Sequence, residues 1–243
     1  GALIVAVLYL PRRPVPASGR VLKIHVIRAA LTAVMAYLFF FGLTRIPLAQ
    51  AIGLSFIAPI ITLFLAVPIL GERIGANAKL AAVLGFVGVM VVVGGELLAA
   101  DEGSDAVGMV AVLLSAVMYA FNLVLQRMQA LVARPLEIAF YQNTIVFLML
   151  LVGVPFAVSW PASSYQWGGA ALAAGLAVGS LMLMSLAYRQ AEAQRLVVIE
   201  YTAFIWAAIM GWWFFAEPIT ARTLLGTGLI VLGCLVSARG GSR

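Results

Sequence analysis

The sequence predicts an all-α protein, a polytopic bundle of transmembrane helices, and three observations predict it. Hydrophobic residues fill 64% of the 243 positions and charged residues only 10%, whereas soluble domains carry roughly 25% charged residues. The apolar residues lie in continuous runs of about 20, long enough to cross a bilayer as a helix, and do not alternate as barrel strands do. The basic residues fall in the short segments between those runs. In hydrocarbon the backbone must satisfy its own polar groups, and helices do so within each run.

Gly1–Leu10 is an apolar stub followed by Arg12 and Arg13. A signal peptide carries its basic residues before the apolar run, so the stub reads as the tail of a helix that begins upstream. Eight spans follow, over 25–44, 47–70, 77–97, 106–127, 136–158, 168–188, 196–216 and 221–238. The second contains Pro59, which removes a backbone donor mid-run, and it stops at Gly71. The third carries Gly85 and Gly88 and the sixth Gly175 and Gly179. With Gly226 and Gly233 in the eighth, these small-residue pairs predict close helix packing. The fourth carries Tyr119, Asn122 and Gln126 on one helical face, and the fifth carries Gln142 and Asn143. The seventh opens after Arg195 and carries Glu200, Tyr201 and Trp206.

Alternating sides of the membrane gathers thirteen of the fifteen Lys and Arg residues on one side, leaving Arg45 and Arg222 on the other. The positive-inside rule makes the rich side cytoplasmic. The C-terminus is then cytoplasmic, in a multi-pass protein of the cell (inner or plasma) membrane. Trp160, Tyr165 and Trp167 fall at interfacial depth on the opposite side. A net charge of +6 so distributed points to lipid and not to nucleic acid.

Cys234 and His25 are each the single residue of their type, which excludes an intrachain disulfide and a multi-histidine metal site. There is no GxxxxGK[ST] loop for a nucleotide and no GxSxG elbow for a serine nucleophile. No cofactor is expected. Asp101, Glu102 and Asp105 lack the twelve-residue calcium-loop pattern and read as a solvated turn.

Two stretches match at an offset of 145 residues. Leu70-Gly71-Glu72-Arg73 pairs with Phe215-Ala216-Glu217-Pro218, and a glycine follows each glutamate by sixteen positions, at Gly88 and Gly233. Five spans separate the glutamates, so the copies have opposite topology, a construction of secondary transporters. The domains expected are a first repeat over 1–98 and a second over 106–238. The second begins near Ala106, which places the start of the first near 106 − 145 = −39. The full plan is then a 5+5 inverted repeat that lacks its first helix and most of its second.

Arg45-Ile46-Pro47-Leu48-Ala49-Gln50-Ala51, Ile57-Ala58-Pro59 and Leu70-Gly71-Glu72-Arg73 resemble the first repeat of the EamA family, in the drug/metabolite transporter superfamily. Ala187-Tyr188, Ala191-Glu192-Ala193, the run Ile199 to Trp206, and Gly211-Trp212 with Phe215-Ala216-Glu217 resemble the second. The pattern is similar to a bacterial subgroup that includes riboflavin and S-adenosylmethionine transporters. The chain departs from it in the missing first helix pair and in Phe204, which stands where the first repeat has Pro59. The resemblance implies a transporter, not an enzyme.

Glu200 is the most informative position, because an ionisable group within a span faces a cavity or a partner. It serves as a substrate contact or proton-linked switch, or as an interfacial carboxylate paired with Arg195 or Arg189. Tyr119, Asn122, Gln142 and Asn143 line a wet pathway or bridge helices. Tyr37, Tyr201 and Trp206 stack on a heterocyclic substrate, or act as packing and interfacial anchors. Pro59 marks a hinge or a plain kink. The expected function is secondary active transport of a small organic metabolite by alternating access, with proton coupling through Glu200. The rivals are a lipid-modifying membrane enzyme using the acidic loop and a non-transporting assembly protein. The sequence leaves the oligomeric state open.

Overall fold

The computed structural model describes residues 1–12, 17–46, 48–99, 105–151, 163–215 and 221–239, and every regular element among them is helical. The helices are α1 (Ala2–Tyr9), followed by a 3-10 turn at Leu10–Arg12, α2 (Gly19–Leu43), α3 (Leu48–Ser55), α4 (Ala58–Leu70) and α5 (Ala76–Ala99). After them come α6 (Ala106–Val132), α7 (Pro135–Leu151), α8 (Ser164–Gln190), α9 (Ala193–Glu200), α10 (Thr202–Phe215) and α11 (Ala221–Arg239). Among the described residues, four stretches are long and apolar enough to cross a membrane: Gly19–Leu43, Ala51–Leu70, Ala106–Val132 and Ser164–Gln190. Large apolar side chains such as Leu172, Leu183 and Trp213 point outward, as lipid-facing residues do. The chain is a multi-pass helical membrane protein.

Two of the expected spans are interrupted. In the 47–70 span the hydrogen-bond ladder shifts to an i to i−3 step at Phe56–Ile57, between α3 and α4, and in the 196–216 span at Tyr201, between α9 and α10, while Ile57 and Tyr201 both keep right-handed helical angles. Pro59 therefore sits in the first turn of α4, where its missing N–H costs no helical hydrogen bond, and not in a mid-helix kink. The second break forms with no proline at all.

Helix ends are closed by recognisable devices. Gly71 ends α4 in the left-handed region, with φ 70°, and its N–H reaches the carbonyls of Ala66 and Val67, a conformation glycine adopts without a Cβ penalty. Ser163 caps α8 through Gln166 N–H at 3.3 Å, and Asp105 accepts from Val107 N–H at 2.9 Å at the start of α6. The first residue of α9, Ala193, donates its N–H to Glu72 Oε1 at 3.2 Å. A carboxylate from the α4–α5 connection thus caps a helix far away in sequence, at its positive dipole end.

The chain forms two compact units. One comprises Gly1–Val34 with Leu125–Ala191, the other Met35–Val124 with Glu192–Arg243. In the first unit, Val5, Ala139 and Val178 form an apolar cluster with Phe140, Leu181 and Met182. Its interior also holds the polar side chains of His25, Arg28, Gln126, Gln129 and Gln142.

The second unit is organised by α5 running against α11. A Cβ placed at Gly88 would lie 2.7 Å from the Gly226 carbonyl oxygen, and one at Gly233 would lie 2.8 Å from that of Ala81. The helices approach so closely only because both positions are glycine. Val89, Tyr201 and Ile230 are buried beside this seam, with Phe56, Phe86 and Ile205 against them. By contrast, Gly175 and Gly179 of α8 face open space, so among the described residues that pair takes no part in helix packing.

Candidate functional site

In the second unit, the Tyr119 hydroxyl donates to Glu200 Oε2 at 2.8 Å. Tyr119 lies midway along α6 and Glu200 is the last residue of α9. The partner of Glu200 is thus a hydroxyl from another helix, and not the arginines at 189 and 195 that the sequence suggested. A carboxylate at a helix C-terminus meets the negative end of the dipole, so this hydrogen bond holds the group where its own helix does not. Asn122, one turn beyond Tyr119, is buried at 4% exposure.

Tyr201 follows Glu200 directly and forms the break. Its ring is fully buried, stacks on Phe56 with centroids 5.7 Å apart, and its hydroxyl donates to the Phe56 carbonyl at 3.4 Å. The space for this ring comes from Gly85, where a Cβ would lie 2.4 Å from Tyr201 Cδ2. The two interrupted spans therefore meet at their breaks. Pro59 begins α4 nearby in sequence, beside buried Ala58.

The other candidates lie elsewhere. Tyr37 is 69% exposed and stacks on Phe41 of its own helix. Trp206 is 62% exposed. Gln142 and Asn143 belong to the first unit: Gln142 donates to Thr32 Oγ1 at 2.8 Å, and Asn143 donates to the Ala139 carbonyl of its own helix. The structure thus brings together Tyr119 with Glu200, and Tyr201 with the first interrupted span.

Sequence reasoning passed over the polar interior of the first unit. Arg28 Nη1 donates to Gln129 Oε1 at 2.8 Å, and Nη2 donates to Gln126 Oε1 at 3.1 Å. Gln129 Nε2 lies 2.8 Å from His25 Nδ1. The signal was present: His25/Arg28 and Gln126/Gln129 are both i, i+3 pairs, so each presents one polar face. His25 and Arg28 lie well inside α2, which starts at Gly19. The Arg127 guanidinium also donates to the Tyr188 carbonyl.

Of the acidic loop, Asp101 and Glu102 lie outside the described residues, as does Glu217. Asp105 is engaged structurally: its Oδ2 pairs with Arg45 Nη1 at 2.6 Å, and the Arg45 guanidinium lies over the Phe41 ring. The hydrogen bond from Arg45, supported by that from Val107 N–H, holds the Asp105 carboxyl below the usual aspartate range.

A carboxyl group held against a hydroxyl between two apolar helices belongs to a chain whose relatives supply its class, that of a membrane transporter. The chain belongs to the EamA-like transporter family, whose sequence profile matches residues 1–94 and 106–239. It is 27% identical to the pseudopaline exporter CntI of Pseudomonas aeruginosa, over 98% of this chain and 82% of that protein. It is also 27% identical to a riboflavin transporter of Rhizobium johnstonii, over 90% of this chain and 71% of that one. A crystal structure shares the fold with a TM-score of 0.75 at 20% identity, covering 98% of this chain and 84% of its own.

Proposed function

We propose that this protein is a secondary active transporter that moves a small organic metabolite across the cell membrane by alternating access. The Tyr119–Glu200 hydrogen bond carries the reading. It sets a titratable group at the end of an interrupted helix, where a small displacement of α9 exchanges the hydroxyl for a substrate donor or for water. Interrupted helices are where transporters of repeat construction bind their cargo. Tyr119, Asn122, Glu200 and Tyr201 form the centre of the pathway. Tyr37 and Trp206, being outward-facing, serve as lipid-side anchors, and Gln142 and Asn143 hold helices.

The repeats are residues 1–98 and 106–238. Contacts in the second unit support this division. Gly88 meets Gly226 and Gly233 meets Ala81, and adding 145 to 81 and 88 gives 226 and 233. Residue i touching j′ while j touches i′ is the mark of a two-fold relation. The basic loop set supports a cytoplasmic C-terminus in the cell (inner or plasma) membrane. Proton coupling runs through Glu200.

Counterflow in proteoliposomes tests the reading. The panel comprises pseudopaline, riboflavin, S-adenosylmethionine, amino acids and nucleosides. Saturable exchange of one compound is the expected result, lost or greatly slowed in Glu200→Gln. Folded protein that exchanges none of them would overturn the assignment of substrate class.

A further inference from the structure

His25 is the chain's single histidine and is fully buried. Its ring stacks on Tyr141, with centroids 4.7 Å apart and planes 12° from parallel. Nδ1 lies 2.8 Å from Gln129 Nε2, and Nε2 faces Glu137 Oε1 at 3.6 Å. The far side of the same glutamine amide is held by Arg28, which is 3% exposed and donates to Gln129 Oε1 at 2.8 Å.

This chain of contacts has one direction. A guanidinium carries donors only and stays charged, so Gln129 must turn its oxygen to Arg28 and its NH2 to His25. Nδ1 is then the acceptor, and the neutral imidazole carries its proton on Nε2, toward the Glu137 carboxylate. Amide orientation and histidine tautomer are ordinarily open assignments. Here one arginine fixes both.

We propose that His25 is a proton-binding site whose occupancy is coupled, through the amide of Gln129, to the hold on Arg28. A proton taken from water lands on Nδ1 and turns it from acceptor to donor. It then opposes the Gln129 NH2 group. The only oxygen on that amide is the one holding Arg28, so proton and guanidinium compete for it. Glu137 of α7 faces Nε2–H in both states, and Arg28 of α2 is the neighbouring positive charge. The other groups facing the ring are the phenol of Tyr141 from α7 and the neutral amide of Gln129 from α6. Proton uptake thus loosens a side-chain hydrogen bond by which α6 holds Arg28 of α2.

A lone histidine makes the test direct, and it requires no transport substrate. Protein labelled with 15N in histidine and arginine, placed in lipid nanodiscs, gives one pair of imidazole nitrogen signals, followed between about pH 5 and pH 8. The expected result is a single Nε2–H tautomer at the alkaline end that converts to imidazolium as pH falls. The guanidinium signals of Arg28, assigned by their loss in Arg28→Met, should shift with the same midpoint. Arg28→Met should lose the tautomer preference. Arg28→Lys, a donor-only cation, should keep it, and so should Glu137→Gln. An Nδ1–H tautomer in the native chain would overturn the proposal. So would a ring that does not titrate, or one that titrates without moving the Arg28 signals.

Discussion

Phe56 and Tyr201 stand 145 positions apart and stack face to face, and the tyrosine hydroxyl returns to the phenylalanine's own carbonyl. Each residue occupies the interruption of an apolar helical span. The Phe56 carbonyl, at the end of α3, thereby receives a donor from the residue between α9 and α10. A backbone group left bare in hydrocarbon would cost several kcal/mol, and this bond contributes to satisfying one.

Tyr201→Ala removes a fully buried ring, and aromatic truncations of that kind cost about 3–5 kcal/mol. Tyr201→Phe keeps the stacking and loses only the long hydrogen bond, a change of about 0.5–1.5 kcal/mol. Unfolding in mixed micelles by SDS titration should rank the two variants in that order. Equal losses would show that the ring is not the element that matters.

Gly88→Ala and Gly233→Ala each drive a methyl group into a backbone carbonyl, which cannot swing aside as a side-chain tip does. Each should destabilise the protein by roughly 1–3 kcal/mol, the usual effect of overpacking. Gly175→Ala, where a Cβ meets nothing within 4 Å, should leave stability within about 0.5 kcal/mol. The same SDS titration reads all three.

Tyr119→Phe strips Glu200 of its donor at 2.8 Å. Leaving a partly buried polar group unsatisfied costs about 1–3 kcal/mol, which corresponds to a roughly 5- to 160-fold loss if it falls on the transport step. Glu200→Gln should slow counterflow and flatten its dependence on pH. The double variant should be no worse than the more severe single one, because both remove one interaction. Additive losses in the counterflow assay would separate the two residues functionally.

Asp105 gives a pH dependence of defined sign. Its folded carboxyl is held below the ordinary value by Arg45. The stabilisation is therefore fully present above the unfolded pKa of about 3.9 and lost as pH falls through the folded value. Arg45→Gln should lower Tm slightly at neutral pH, and the difference from the native chain should vanish in acid. Because the pair is at the surface, added salt should shrink the effect as well.

The helical membrane fold was legible because lipid leaves the backbone few choices: each long apolar run had to be a helix, and the described residues of each lie in helical segments. The interruptions were not. Pro59 drew attention to the first, but it occupies a first helical turn where proline is harmless, and Tyr201 marks the second without any proline. Glu200 was legible as a costly group needing a partner. The partner was not, since nearby arginines compete on sequence distance and Tyr119 wins in space. Gly175 and Gly179 show the converse error, in which small-residue spacing identifies a face without saying what lies opposite. The polar interior around Arg28 was missed because each of its residues looks ordinary within its own helix.

The glycine seam between α5 and α11 also bears on how such a gene can change. Gly88 and Gly233 are encoded far apart, yet each abuts the backbone of the helix that carries the other. Neither half of the gene can enlarge its own residue unless the opposite helix withdraws. Mutations along this line are inherited under joint veto, as they would be in a homodimer whose subunits had been given separate genes and then joined.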